Sequence, residues 1–188
     1  MAFQFKIQLK DISQPPVWRR VLVPKDFTFD RLHEVIQAAF GWENYHLYEF
    51  SPQGIGSNPS ITDPNGNDWD EPDMDASETK LNEIFTKEKQ TYIYTYDFGD
   101  SWEHKITLEK ITDDNSSKKA ACIGGEGACP PEDCGGVWGY ESFLKIISDS
   151  QHPEYEGMRE WAGLEEGETW EDVAGFNLEY VNEAVEDV

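Results

Sequence analysis

The chain has 188 residues, 38% hydrophobic and 13% aromatic, enough to bury one sizeable core. Its 15 Lys+Arg stand against 38 Asp+Glu, a formal net charge of -23, and such a surface repels phosphate backbones and disfavours nucleic-acid binding. The sequence contains no apolar run long enough to span a bilayer, and "MAFQFKIQLKDI" alternates polar and apolar residues where a signal peptide would be apolar. A cytoplasmic protein without membrane association is therefore expected.

"FQFKIQLKDI" (3–12) places Phe3, Phe5, Ile7 and Leu9 on one face, the period-2 pattern of a half-buried strand. Pro15 and Pro16 interrupt the ladder, and Val17 to Val23 resume it as a second strand that pairs antiparallel with the first. A helix is expected from the Thr28 cap to Gly41, with Phe29, Leu32, Val35, Ile36, Ala39 and Phe40 forming its buried stripe. "HLYEF" (46–50) reads as a short strand.

Residues 51–76 form an acidic loop insertion rich in Gly, Pro, Asn and Asp. Within it Asp63, Asn65 and Asn67 match the first ligand positions of a calcium loop, but Asp68 replaces the obligatory glycine and Met74 the bidentate acid. A solvated insertion accounts for it better. "TKLNEIF" (79–85) supports at most two helical turns. Helices are predicted over 139–149, over 152–163 with Pro153 in the first turn, and from an Asn177 cap to the C-terminus. Strands and helices mix without strict βαβ alternation, so one α+β domain over 1–188 is expected, its sheet mostly antiparallel and packed against several helices. Residues 151–188 hold twelve acids and one base, Arg159, a face suited to a basic protein partner.

Chemistry concentrates in two places. The first is the hairpin "YTYDFGDSWEHKITLE" (94–109). Centring its turn between Gly99 and Asp100 sets Asp97 opposite Trp102 and Thr95 opposite His104, so that Asp97, Trp102 and His104 share a face. A carboxylate holding the imidazole proton would then raise the pKa of His104. A pure turn, with Asp97 or Asp100 bonding backbone N–H groups, is the competing reading. An odd-length loop would flip one strand and separate the pair.

The second is "CIGGEGACPPEDCGG" (122–136), too rich in Gly and Pro to be regular. Cys122, Cys129 and Cys134 lack the C-x-x-C spacing of strong zinc sites. His46, His104 or His152 could complete a Cys₃His zinc site in space, with Glu132 or Asp133 as harder oxygen ligands. The alternative is a stiff Pro-Pro loop with small buried thiols. No serine elbow, phosphate loop or partnered cysteine nucleophile is present in the sequence.

Taken together, "PPVWRRV", "LHEVIQAAFGWENYHLYEF", "YTYDFGDSWEHKITLE", "CPPEDCGG" with "GYESFLKII", and "HPEYEGMREWAG" resemble the plasmid pRiA4b ORF-3-like family. The resemblance runs from about Phe3 to the last helix and implies a single α+β domain with a roll-like sheet, an association with plasmids and mobile elements, and no known activity. The signature positions it implies include Trp18, Arg19, Trp42, His46, Asp97, Asp100, Trp102, His104, Glu132, Asp133 and Tyr140. Two functions follow. One is a binding module in which Trp42, Trp102 and Trp138 line a groove for a small ligand or an extended peptide. The other is a metal-dependent hydrolase or binder, with His46, Asp97, His104 and Glu132 or Asp133 converging on a metal.

Overall fold

The computed structural model describes residues 1–64, 73–113 and 118–188. Strands β1 (Ala2–Ser13) and β2 (Pro16–Pro24) pair antiparallel from Ala2↔Pro24 to Gln8↔Trp18. Their alternation sends Phe3, Phe5, Ile7 and Leu9, with Val17, Val21 and Val23, to one buried face.

Helix α1 (Phe29–Phe40) lays Phe29, Leu32, Val35, Ile36 and Ala39 on that face and ends at Gly41, whose φ of 75° is the left-handed conformation that glycine adopts without strain. Thr28 stands at the cap position, but its side chain bonds no backbone N–H; its hydroxyl meets the Asp30 carboxylate instead.

The remaining elements, in chain order, are β3 (Tyr48–Ser51), β4 (Ile61–Thr62), β5 (Met74–Asp75), α2 (Leu81–Ile84), β6 (Thr91–Tyr96), β7 (Trp102–Thr112), β8 (Ala121–Glu126), α3 (Gly136–Ser148), α4 (Tyr155–Trp161), α5 (Trp170–Ala174) and α6 (Leu178–Glu186). The strands make one open sheet in the order β5-β4-β3-β6-β7-β1-β2-β8, antiparallel except between β4 and β5. The architecture is α+β, as the mixed element pattern predicts. Helix α6 packs on β8 and α1 through Val181 and Val185. No helix among the described residues is long and apolar enough to cross a membrane.

Four elements depart from the sequence reading: β8, α5 and the two-residue strands β4 and β5. Residues 121–126, expected to be irregular, form β8 on the edge of β2. The glycines there serve close packing: a Cβ on Gly125 would lie 2.6 Å from the Phe176 ring and 2.9 Å from Arg19 Cδ. The short α5 lies where no helix is expected; Thr169 accepts the Asp172 N–H and Asp172 reaches back to Thr169 N, a capping box. Within the acidic insertion, β4 and β5 are two residues each, while Asn65, Asn67 and Asp68 of the calcium reading fall outside the described residues.

Candidate functional site

The β6–β7 register is Tyr96↔Trp102, Tyr94↔His104 and Tyr92↔Ile106. The loop therefore holds five residues, 97–101, and the even-length turn of the sequence reading is corrected. Asp97 and Ser101 both take φ of 55°, and Ser101 N donates to Asp97 O at 2.6 Å. The odd length puts His104 on the tyrosine face and not beside Asp97.

His104 is fully buried among Phe40, Trp42 and Tyr94, at centroid distances of 4.8, 5.2 and 5.4 Å. Its Nδ1 lies 3.1 Å from Trp102 O, and burial pushes its pKa down to about 3, the reverse of the rise expected from an acid partner. It is a neutral core residue.

His46 takes the place expected of His104. Its Nε2 lies 3.7 Å from Asp97 Oδ2 and 3.2 Å from Asp133 Oδ1, and the three ligand atoms all fall within 4.8 Å of one another. Neither contact has hydrogen-bond alignment, so the enclosed Nε2 has no hydrogen-bond partner. The other oxygen of Asp97 locks the turn by accepting Gly99 N at 2.9 Å. Asp97 thus does the turn work of one sequence reading, while the carboxylate-held imidazole of the other is not formed: the histidine facing its second oxygen is His46, with no hydrogen bond between them.

The Pro-Pro loop is docked onto the hairpin end. Asp100 Oδ2 accepts Gly135 N at 3.0 Å, and a Cβ on Gly136 (φ 69°) would stand 2.5 Å from Asp100 O. The Tyr96 hydroxyl donates to Glu132 Oε1 at 2.9 Å and accepts Tyr45 N at 3.0 Å, while the same Oε1 accepts Glu43 N at 3.0 Å. Burial and the Glu132 carboxylate both raise the Tyr96 pKa, so the phenol stays a donor. Trp42 stacks on Tyr96 at 5.1 Å and donates Nε1–H to Pro130 O at 2.9 Å.

These ties wall a cleft of about 440 Å³ between the end of α1, the 129–133 loop, α5 and α6. Arg19, Trp42, Cys129, Glu132 and Asp133 line it, as do Glu43, Tyr45, Trp170, Val173 and Tyr180, which the sequence reading leaves out. The capping box at Thr169 is the signal that could have placed Trp170 and Val173 on a helix.

The other predicted positions lie elsewhere. Trp102 is 1% exposed and belongs to the core, whereas Trp138 is 82% exposed and lines no part of the cleft. The expected three-tryptophan groove is therefore corrected to a cleft holding Trp42 alone of the three. Trp18 lies between Lys6 and Arg20, which sit 5.0 and 4.9 Å from its ring. Tyr140 is buried, donating to Ala128 O at 3.1 Å.

The cysteines form no metal set among the described residues. Cys122 lies in β8 against α6, its N–H bonded to Asn182. Cys129 Sγ accepts Arg19 Nη2 at 2.9 Å and its pKa is pushed up to about 11 by burial; burial likewise drives Cys134 to about 12. Burial disfavours the thiolate form of all three cysteines. Cys134 lines a separate cavity of about 520 Å³ with Phe143, Met158 and Trp161.

The Plasmid pRiA4b ORF-3-like protein model matches residues 1–183. The chain belongs to the plasmid pRiA4b ORF-3-like family. Uncharacterized protein y4hQ of Sinorhizobium fredii is 36% identical over 179 residues, which cover 95% of this chain and 88% of that protein. The crystal structure of a protein of unknown function, MM3350, from Methanosarcina mazei Go1 is similar with a TM-score of 0.78 at 34% identity, covering 95% of each chain. Within the matched range lie "YDFGDSWEH" and "CPPEDCGG", the two loops that the structure docks onto each other. These relatives are themselves uncharacterised, and the family carries no established function.

Proposed function

We propose that the protein is a binding module, with its site the cleft between α1, the 129–133 loop, α5 and α6. The observation that supports this is the cleft itself: a preformed hollow of about 440 Å³ whose walls are tied by side-chain hydrogen bonds and whose rim carries exposed aromatic side chains. Its size suits a small ligand or one or two side chains of an extended peptide. No side chain lining it has the activated character of a nucleophile: Cys129 is buried and its thiol pKa is raised.

The test is to plug the hollow from its rim. Val173 is exposed on α5 and lines the cleft, so Val173→Arg fills it without touching the core. Fragment and peptide libraries screened by amide chemical shifts on labelled protein should give hits mapping to residues 41–45, 132–133 and 173–181, and these hits should vanish in Val173→Arg. Hits that persist unchanged in the plugged variant would dismiss the cleft as the site.

A second reading rests on the His46 Nε2 that has no hydrogen bond beside two aspartate oxygens. One imidazole nitrogen and two carboxylates form a mixed set suited to Mn²⁺, Fe²⁺ or Zn²⁺, at the edge of the cleft that Asp133 lines. A cation there would serve a metal-dependent binder or hydrolase. Metal analysis of the purified chain, before and after incubation with each ion, decides between them; well under a tenth of an equivalent in every case would end this reading.

A further inference from the structure

We infer that the cleft receives a positively charged side chain, a lysine or arginine presented by an extended segment of a partner protein. This rests on the reading of the cleft as the binding site and names what fills it. Three carboxylates, Glu43, Glu132 and Asp133, line the hollow. The single cation among its lining residues, Arg19, is 2% exposed. All five of its N–H groups are engaged, by the carbonyls of Trp18, Ala39, Glu126 and Gly127 and by Cys129 Sγ. An anionic ligand would find no side-chain cation free to meet it there.

The backbone adds to this field. Helix α1 directs its C-terminal end, residues 38–41, at the cleft and has no basic residue in its last turn. A helix C-terminus carries about half a negative charge, of which the buried Arg19 meets part at Ala39 O, so the carboxylates supply most of the field. Glu132 is held at the cleft wall by the Tyr96 hydroxyl and Glu43 N on its Oε1, which fixes one of the three carboxylates in place.

The rim supplies the rest of the recognition. Tyr45 and Tyr180 are 72% and 74% exposed beside this field, and aromatic faces attract cations within about 6 Å of the ring. The C-terminal segment that contributes α5 and α6, residues 151–188, holds twelve acids against one base, within a chain of net charge -23. That charge steers a basic partner toward this side, while the cleft gives one of its side chains a defined seat.

The experiment titrates the full-length labelled chain, with chelator present, against acetylated pentalysine amide, pentaglutamate and a norleucine counterpart. Pentalysine should shift the amides of residues 41–45, 132–133 and 173–181. Glu43→Gln with Asp133→Asn should weaken its binding about tenfold, and Tyr45→Ala with Tyr180→Ala about fivefold. Asp26→Asn with Glu78→Gln, the same charge removed at exposed sites outside the cleft, should change it less than about twofold. Equal weakening by both charge variants would overturn the proposal, since it would mean general attraction only. If pentaglutamate or the norleucine peptide takes the same residues and is blocked by Val173→Arg, the cleft reading stands and the cationic class falls. If no peptide gives localised shifts, both fall.

Discussion

Arg19 Nη2 meets Cys129 Sγ at 2.9 Å, the only side-chain group among the five partners of that guanidinium. A buried charge usually has a carboxylate partner, yet among the described residues Arg19 has none. Its charge is spread over four carbonyls, one of them Ala39 O near the negative end of α1, and its plane lies 5.2 and 4.8 Å from the rings of Phe40 and Phe176. The guanidinium thus joins β2, the end of α1 and the strand-to-loop junction at 126–129. It holds the floor of the cleft.

Arg19→Lys is therefore not conservative here. Three rotating N–H groups on a flexible stem cannot reproduce five donors in a planar fork, so two or more buried acceptors lose their partners at about 1–3 kcal/mol each. A loss of roughly 3 kcal/mol in urea unfolding is expected, against under about 1 kcal/mol for Cys129→Ser, which keeps a small acceptor in place. Equal effects from the two variants would contradict this division.

Two buried histidines set the acid limit of the fold. His33 is stacked on Tyr48 at 3.7 Å, with Nδ1 2.8 Å from Tyr94 Oη and Nε2 2.7 Å from Asn44 Oδ1. Burial lowers its pKa to about 4 and that of His104 to about 3. Both folded values lie below the ordinary 6.5, so the unfolded chain binds the extra protons. Their contribution to stability is complete well above pH 6.5, is lost progressively as pH falls below it, and levels off only below the folded values. Between pH 7 and pH 5, above the range where most carboxylates titrate, the pair should cost roughly 4 kcal/mol of unfolding free energy. Stability measured by urea at both pH values checks this, with His104→Phe expected to flatten the slope. A slope unchanged by that variant would remove His104 from the account.

Most of the architecture can be read from alternation and capping. Phe3 to Leu9, Val17 to Val23 and the stripe from Phe29 to Phe40 bury as their periods require, because each segment meets one flat core face. What cannot be read is register. One residue in the 97–101 loop decides whether His104 shares its face with Tyr94 or with Asp97, and sequence offers no measure of loop length when Asp97 and Ser101 both adopt positive φ. The same uncertainty kept His104 in an expected set of which the structure brings together His46, Asp97 and Asp133. Tyr45, Val173 and Tyr180 escaped for another reason. They reach the cleft from segments far apart in the chain, and isolated exposed side chains carry no periodic signal. The tryptophans mislead because an indole suits a core as well as a rim: Trp102 took the first role and Trp138 lies out in solvent.

Gly136 tests whether the two signature loops depend on one another. At φ 69°, with its Cβ position 2.5 Å from Asp100 O, no side chain fits without moving the loop off the hairpin. Gly136→Ala should destabilise by about 2 kcal/mol and disturb amide shifts in 97–101 as well as in 132–136. Asp100→Asn keeps an acceptor for Gly135 N and should cost well under about 1 kcal/mol. Disturbance confined to 135–139 in the alanine variant would mean that the loops are stable independently.

Asp97 separates folding from any cation at the hairpin end. One carboxylate oxygen accepts Gly99 N, the other faces His46, and the backbone holds φ 55°. Asparagine tolerates that left-handed conformation and keeps the acceptor for Gly99, so Asp97→Asn should stay within about 0.5 kcal/mol of the parent. Alanine loses both advantages and should cost about 1–2 kcal/mol. A divalent ion bound by His46, Asp97 and Asp133 would raise stability by about 2.7 kcal/mol at a hundredfold excess over its dissociation constant. That increment should disappear in Asp97→Asn while the metal-free stability does not move, because only the charge has been removed. Thermal unfolding of both proteins with and without Mn²⁺ or Zn²⁺ reads the difference directly. An ion-dependent rise of the same size in the asparagine variant would show that the ion binds elsewhere.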